Sequence, residues 1–225
     1  MQMRSRAAFR LAYIAAVAGM VAAILYNSLP GAVVARSYAA YNGRAVPGYA
    51  DTVYRDVHLP YRNTLVPITA KEARNIQSGI LIFAYPACPY CRNLMPELIR
   101  VAAEANQKIY YCKIDDYRDR YVYDSRTAKA ELVVGPGEGY LSLLDWLGEY
   151  LPDYVLSDPE KNEISVGEKR IGAPTIVRVE NGEAVSVWKL SSVTDITLPD
   201  NKYDTWDNIV QEAVSESLRR YIGSL

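Results

Sequence analysis

Two cysteines three residues apart, Cys88 and Cys91, enclose Pro89 and Tyr90 and follow the apolar run Leu81-Ile82-Phe83-Ala84 after the short link Tyr85-Pro86-Ala87. The placement carries the chemistry. A thiol at the first turn of a helix faces unpaired backbone N–H groups and the positive end of the helix dipole. Both favour the thiolate, the attacking form. A second thiol about one turn along the same helix can resolve a mixed disulfide. Pro89 suits the first helical position, where its missing N–H removes only an orphan donor. The pattern predicts thiol–disulfide exchange, with Cys88 as nucleophile and Cys91 as resolving thiol.

Competing uses of the pair fit less well. The only other soft ligands are Cys112 and His58, and neither stands at zinc-finger spacing, so no metal site is expected and no cofactor is required. A purely structural Cys88–Cys91 disulfide would close a tiny, strained loop that constrains little of the unfolded chain. Cys112 falls inside an apolar strand pattern and reads as a buried hydrophobe. Tyr90 either tunes the site or is an exposed spacer. Arg92 either favours the thiolate or is a solvated surface cation.

The elements that must hold this pair follow from periodicity. Strand Ile80–Tyr85 is too apolar to be half exposed and belongs at the centre of a covered sheet. Behind the cysteines a helix runs to about Ala105, with Leu94, Leu98, Val101 and Ala102 on its apolar face and Pro96 inside it. Upstream, Asn63–Pro67 reads as a short strand and Thr69-Ala70-Lys71-Glu72 as a capping box. Downstream, Lys108–Ile114 reads as a strand. Pro174–Val179 and Glu183–Leu190 read as a hairpin about Asn181-Gly182. A helix over about Thr205–Ile222 closes the chain, with Trp206, Ile209, Val210, Ala213, Leu218 and Tyr221 on one face. Strand, helix and strand in alternation predict an α/β fold with a mixed sheet. Between them, Asp115–Arg170 is an insertion containing a helix around Tyr140–Leu151, whose inner face is predicted to be Leu141, Leu144, Leu147 and Leu151. Its Gly135–Gly139 loop lacks the Lys-Ser/Thr of a phosphate cradle and reads as a turn.

The chain has 225 residues, half of them apolar, and a net charge of −1. No basic stripe interleaves with aromatics, so no nucleic-acid partner is expected. Arg4, Arg6 and Arg10 precede the uncharged run Leu11–Tyr26, and no charge appears again before Arg36. Residues 1–35 therefore read as a signal peptide, cut near Val33-Val34-Ala35, or as a transmembrane anchor that reaches spanning length by continuing through Leu29 to Ala35. The arginines would be retained inside. Residues 36–62, rich in Tyr, Gly and Pro, read as a lead-in or tether. Either reading of the terminus places residues 63–225 outside the cytoplasm, in a single-pass membrane protein or a secreted one, where disulfides persist.

These elements, in this order, resemble the thioredoxin superfamily. The resemblance rests on Cys88-Pro89-Tyr90-Cys91 after a central strand, on Pro96 five residues beyond the second cysteine, and on Ile171-Gly172-Ala173-Pro174-Thr175 opening a strand before a hairpin. Within the superfamily, Ile68–Glu72 and the Cys-Pro-Tyr-Cys-Arg segment with Pro96-Glu97-Leu98 are similar to bacteriocin transport accessory proteins and related extracytoplasmic thioredoxin-like proteins. The resemblance implies a three-layer α/β/α fold, a redox disulfide Cys88–Cys91 and a cis peptide before Pro174. It also implies substrate binding by Ala173, Pro174, Pro89 and Tyr90. The clients implied are secreted or cell-surface proteins or peptides bearing thiols or disulfides, and a membrane redox partner fits the same reading. Two departures stand out. Ile82 occupies the position of the family's buried aspartate, and Ala87 that of the tryptophan before the first cysteine. The proton acceptor of Cys91, and with it the direction of exchange, is left open. Two other readings fit the same resemblance: a non-catalytic accessory module for secreted-peptide export, and a haem- or metal-delivery factor.

Overall fold

The computed structural model describes residues 2–223, and the side chains of residues 13–223. The side chains of Arg4, Arg6 and Arg10 therefore lie outside the described residues.

Helix α1 (Gln2–Asn27) runs out from the body of the protein, and Tyr13, Ile14, Met20, Val21, Ile24 and Leu25 along it are all exposed. The chain then bends by 76° into α2 (Pro30–Ala39), started by a proline that has no N–H to leave unpaired. Among the described residues no single helix is long and apolar enough to cross a membrane, although the bent pair passes together on length and composition. The expected continuation of a span through Ala35 differs from what is seen. α2 turns away, burying Ala32 and packing Val34, Ala35 and Tyr38 into the core cluster on one face of the sheet. Arg36 donates to the Asn27 carbonyl at 2.8 Å and lies over the Tyr61 ring, while Tyr26 stacks on Tyr61 with 5.6 Å between ring centroids.

The expected tether is likewise part of the core. Its backbone is irregular, with one isolated bridge between Ala45 and Val53, yet Tyr54, Val57 and Leu59 are buried. Asn42 closes the segment on itself by accepting from the Val57 N–H at 3.0 Å. No repeating period accompanies this burial, because the side chains are delivered one at a time by turns.

Strands β1 (Leu65–Ile68), β2 (Ser78–Ala84), β3 (Ile109–Lys113), β8 (Thr175–Glu180) and β9 (Glu183–Lys189) form a five-stranded mixed sheet in the order β1-β3-β2-β8-β9. β1 and β2 run parallel to β3, whereas β8 is antiparallel to β2 and β9. β2 is the middle strand and is covered on both faces, as its composition predicted. Ile80, Ile82 and Ala84 face one cluster, and Leu81 and Phe83 face the other. The first cluster lies under α2, α4 (Pro89–Glu104) and α6 (Asn208–Gly223). The second lies under α3 (Ala70–Arg74) and α5 (Tyr140–Leu147). The result is three α/β/α layers. α3 begins at the anticipated capping box, with Thr69 and Glu72 satisfying each other's backbone N–H groups. Gly139 opens α5 at φ +85°, and a Cβ there would meet the Lys71 backbone nitrogen at 2.9 Å.

Two predicted helix faces need correction. On α5 the buried set is Tyr140, Leu143, Leu144 and Leu147, while Leu141 faces outward. On α6 it is Val210, Val214, Ser215, Leu218 and Ile222, with Ile209 74 % exposed. The insertion, for which the sequence suggested one helix and a glycine turn, also contains two antiparallel hairpins, β4 (Arg120–Asp124) with β5 (Lys129–Val134), and β6 (Asp153–Ser157) with β7 (Glu163–Lys169). Their roots are tied by Arg170 and Asp119 at 3.4 Å.

Candidate active site

β2 delivers the chain into Tyr85-Pro86-Ala87, and Cys88 then caps α4. Its backbone is extended (φ −73°, ψ 121°), and its sulfur accepts from the Cys91 N–H at 3.2 Å. The sulfur thus takes the place that a serine or aspartate oxygen fills in an ordinary cap, and one of the helix's orphan donors points at it. Pro89 occupies the first helical position, as its missing N–H allows.

From across the sheet the loop before β8 reaches the same point. The Ala173–Pro174 peptide is cis, the isomer that the resemblance implied, and the Cys88 thiol donates to the Ala173 carbonyl at 3.3 Å. Thr175 steadies this loop by donating to the Gly172 carbonyl at 3.0 Å. The structure therefore brings Cys88, Cys91, Ala173 and Pro174 together, with Pro89 and Tyr90 half-buried at the rim. Both cysteines are free thiols, and exposure is 2 % for Cys88 and 0 % for Cys91. Cys88 is the outer of the two, yet a client must part the rim to reach it.

The environment splits the two thiols. Burial pushes Cys88 up, but it is outweighed by hydrogen bonding from the Cys91 thiol and the Cys91 and Tyr90 N–H groups, with the Arg118 charge adding to them. Its pKa ends below the ordinary thiol value. Cys91 is held well above it, by burial first and then by the Cys88 sulfur. One thiol is poised to ionise and the other to stay protonated, the asymmetry that sequential attack and release require. Cys112 lies behind the sheet among the second cluster, where burial pushes its thiol up to about 12. His58 is exposed. Among the described residues no group of three or more His, Cys, Asp or Glu side chains could hold a metal ion.

Three residues support the site that sequence reasoning assigned otherwise or passed over. Arg92 is wholly buried, neither a solvated cation nor a partner of the sulfur. Its guanidinium donates to the carbonyls of Tyr38 (3.1 Å), Pro86 (2.9 Å) and Arg55 (3.0 Å from Nε) and to Asn42 Oδ1, beneath the Tyr54 ring. It clamps the lead-in segment to the loop that carries Cys88. Asn93 extends the clamp, accepting from Arg55 and from the Trp206 N–H (3.1 Å) and donating to the Asp204 carbonyl (3.0 Å). Arg118, over the Tyr85 ring at 4.8 Å, supplies the positive charge felt by both cysteines. Only the position of Arg92 beside the motif was a signal in the sequence. The other two come into place through the fold. No protein-family model, curated protein or solved structure matches the chain.

Proposed function

We propose that this protein is a thioredoxin-like thiol–disulfide oxidoreductase, held at a membrane by α1 with its remaining domain outside the cytoplasm. Its clients are secreted or cell-surface proteins and peptides. The observation that carries the reading is the Cys88 sulfur capping α4 with its pKa lowered, directly beside the cis Ala173–Pro174 peptide. The strand order β1-β3-β2-β8-β9, with the dithiol at the end of the central strand and the cis-proline opening β8, supports the thioredoxin-like assignment. Arg4, Arg6 and Arg10 in the first part of α1, ahead of its uncharged run Leu11–Tyr26, and the exposure of the apolar side chains along that run, support the membrane placement.

In the reducing direction the Cys88 thiolate attacks a client disulfide, forming a Cys88–client bond and releasing one client sulfur as thiolate. Cys91 then attacks Cys88, forming Cys88–Cys91 and expelling the second client sulfur, which takes up a proton. Oxidation of a client runs the same steps backward. An extended client segment would pair with the Ala173 backbone, whose carbonyl holds the Cys88 thiol in the resting site.

The test is Cys91→Ala. Without the resolving thiol, non-reducing gels of cells should show higher-mass bands that vanish with reductant and depend on Cys88. The burial of both sulfurs favours one second reading, a module that grips peptides without turnover. That reading gains if no such bands form and the purified protein neither reduces insulin nor oxidises a dithiol peptide.

A further inference from the structure

At the end of α1 lies a cavity of about 210 Å³, remote from the dithiol. Leu29 and Pro30 from the bend, Tyr61, Arg62 and Thr64 from the approach to β1, and Lys108 just before β3 line it. Contacts fix its place beside α1: Tyr26 stacks on Tyr61, and Asn63 donates to the Gly31 carbonyl at 3.1 Å. Thr64 and Lys108 are brought side by side where β1 pairs with β3, the Ile109 N–H donating to the Thr64 carbonyl at 2.9 Å.

The lining suits an anion. Arg62 and Lys108 are exposed cations, and no carboxylate lines the cavity. A third cation, Arg36, lies over the Tyr61 ring at 5.7 Å. The Thr64 hydroxyl is buried and has no hydrogen-bond partner. Such a group opposes folding, and valine would fill the same space without that cost. Two cations and an unused hydroxyl are what a phosphate group takes up.

The position indicates where that phosphate comes from. From Leu11 to Asn27 the helix rises about 26 Å, close to the roughly 30 Å hydrocarbon core of a bilayer. With Arg4, Arg6 and Arg10 inside, the outer boundary of the hydrocarbon falls near Asn27 and Leu29, and Tyr26 and Tyr61 stand at the level of an aromatic belt. Resting on the membrane placement of α1, we propose that this cavity receives the phosphate of an anionic phospholipid headgroup from the outer leaflet. Arg62 and Lys108 pair with its charge, and Thr64 donates to one of its oxygens. A choline headgroup fits worse, because its ammonium meets two cations and no carboxylate. β1 and β3 run parallel to β2, so the cavity at their beginnings lies at the opposite end of the sheet from the dithiol that follows β2. Lipid and client therefore do not compete for space.

Native mass spectra of the full-length protein in detergent, given equal amounts of phosphatidylglycerol and phosphatidylcholine, test the site. A basic side chain beside an anionic headgroup favours it about fivefold, so two give a preference of about twentyfold for phosphatidylglycerol. The preference should vanish when Arg62→Gln is combined with Lys108→Gln. Thr64→Val should cut retention of phosphatidylglycerol about fivefold with the thermal midpoint no lower, which a merely structural threonine would not give. Arg126→Gln, in the turn between β4 and β5, should change nothing. Equal retention of the two lipids by the parent, or an undiminished preference in the double variant, overturns the proposal. So does inorganic phosphate bound, by protein held in phosphatidylcholine alone, as tightly as phosphatidylglycerol, because the ligand would then be a soluble phosphate. Flotation with phosphatidylcholine vesicles separates the two readings. A parent that fails to float loses the membrane placement and the headgroup site with it, whereas one that floats without a lipid preference loses the site alone.

Discussion

Replacing Arg92 by methionine removes the charge and the donors while keeping most of the stem. In the native protein the guanidinium satisfies the carbonyls of Tyr38, Pro86 and Arg55. A buried acceptor left without a donor costs about 1–3 kcal/mol. Tyr38 is fully enclosed, whereas Arg55 is partly exposed and its carbonyl can be rehydrated. Taking the lower part of that range for each carbonyl gives a loss of about 3 kcal/mol. With a urea slope of about 2 kcal/mol per molar, the unfolding midpoint should fall by about 1.5 M at unchanged slope. Arg92→Lys should fall between parent and Arg92→Met, because a point charge with three rotating donors cannot serve a fork of fixed acceptors. The same titrations, followed by alkylation of Cys88, should show loss of its selective reactivity, since Pro86 lies in the loop that sets the sulfur. A loss below about 1 kcal/mol for Arg92→Met, or a lysine variant equal to the parent, would refute the clamp.

Other outcomes follow from the same geometry. In the reduced native protein iodoacetamide should label Cys88 at a pH below that of an ordinary thiol. The lowered pKa brings the thiolate, and with it the rate, up earlier as pH rises, while Cys91 and Cys112 stay unlabelled over that range. Labelling of Cys91 first would reverse the assigned roles. A chain beginning at Leu29 should keep the stability of the folded domain, whereas one beginning at Arg36 should lose at least about 3 kcal/mol by removing the buried Ala32, Val34 and Ala35. Equal denaturation midpoints for the two would refute the role given to α2. Thr69→Ala should cost about 1 kcal/mol by opening the capping box, read from the thermal midpoint, with exchange kinetics untouched.

What the sequence made legible was whatever a period or a local motif encodes. β2 announced its central place because both of its faces are apolar. α4 announced its buried side through Leu94, Leu98, Val101 and Ala102, all fully or almost fully buried. The dithiol and the loop at Pro174 were readable as motifs, and the structure places them in contact. Arg92 was not legible. Beside a Cys-x-x-Cys pair a charge looks solvated, and its acceptors Tyr38, Asn42 and Arg55 lie 37 to 54 residues away. The lead-in carried no period because it packs through turns. Ile209 misled because an apolar residue type does not fix which side of a helix meets the core; the docking of α6 through Val210, Val214 and Leu218 leaves it outside. The hairpins of the insertion were hidden because strands such as Arg120–Asp124 interleave charged with aromatic residues and bury little.

The join between α1 and the folded domain has a mechanical meaning. α1 ends at Asn27 and α2 begins at Pro30, with Arg36 bonded to Asn27 and Tyr26 stacked on Tyr61. A long Gly- and Ser-rich linker would let the dithiol sweep a hemisphere of radius set by its length. Here there is a bracket instead of a leash. If α1 sits in the bilayer as proposed, Cys88 stands at one height and one orientation above the surface. The protein then behaves as a fixed station, and selection among clients falls in part to whichever of them present a sulfur at that height as they emerge.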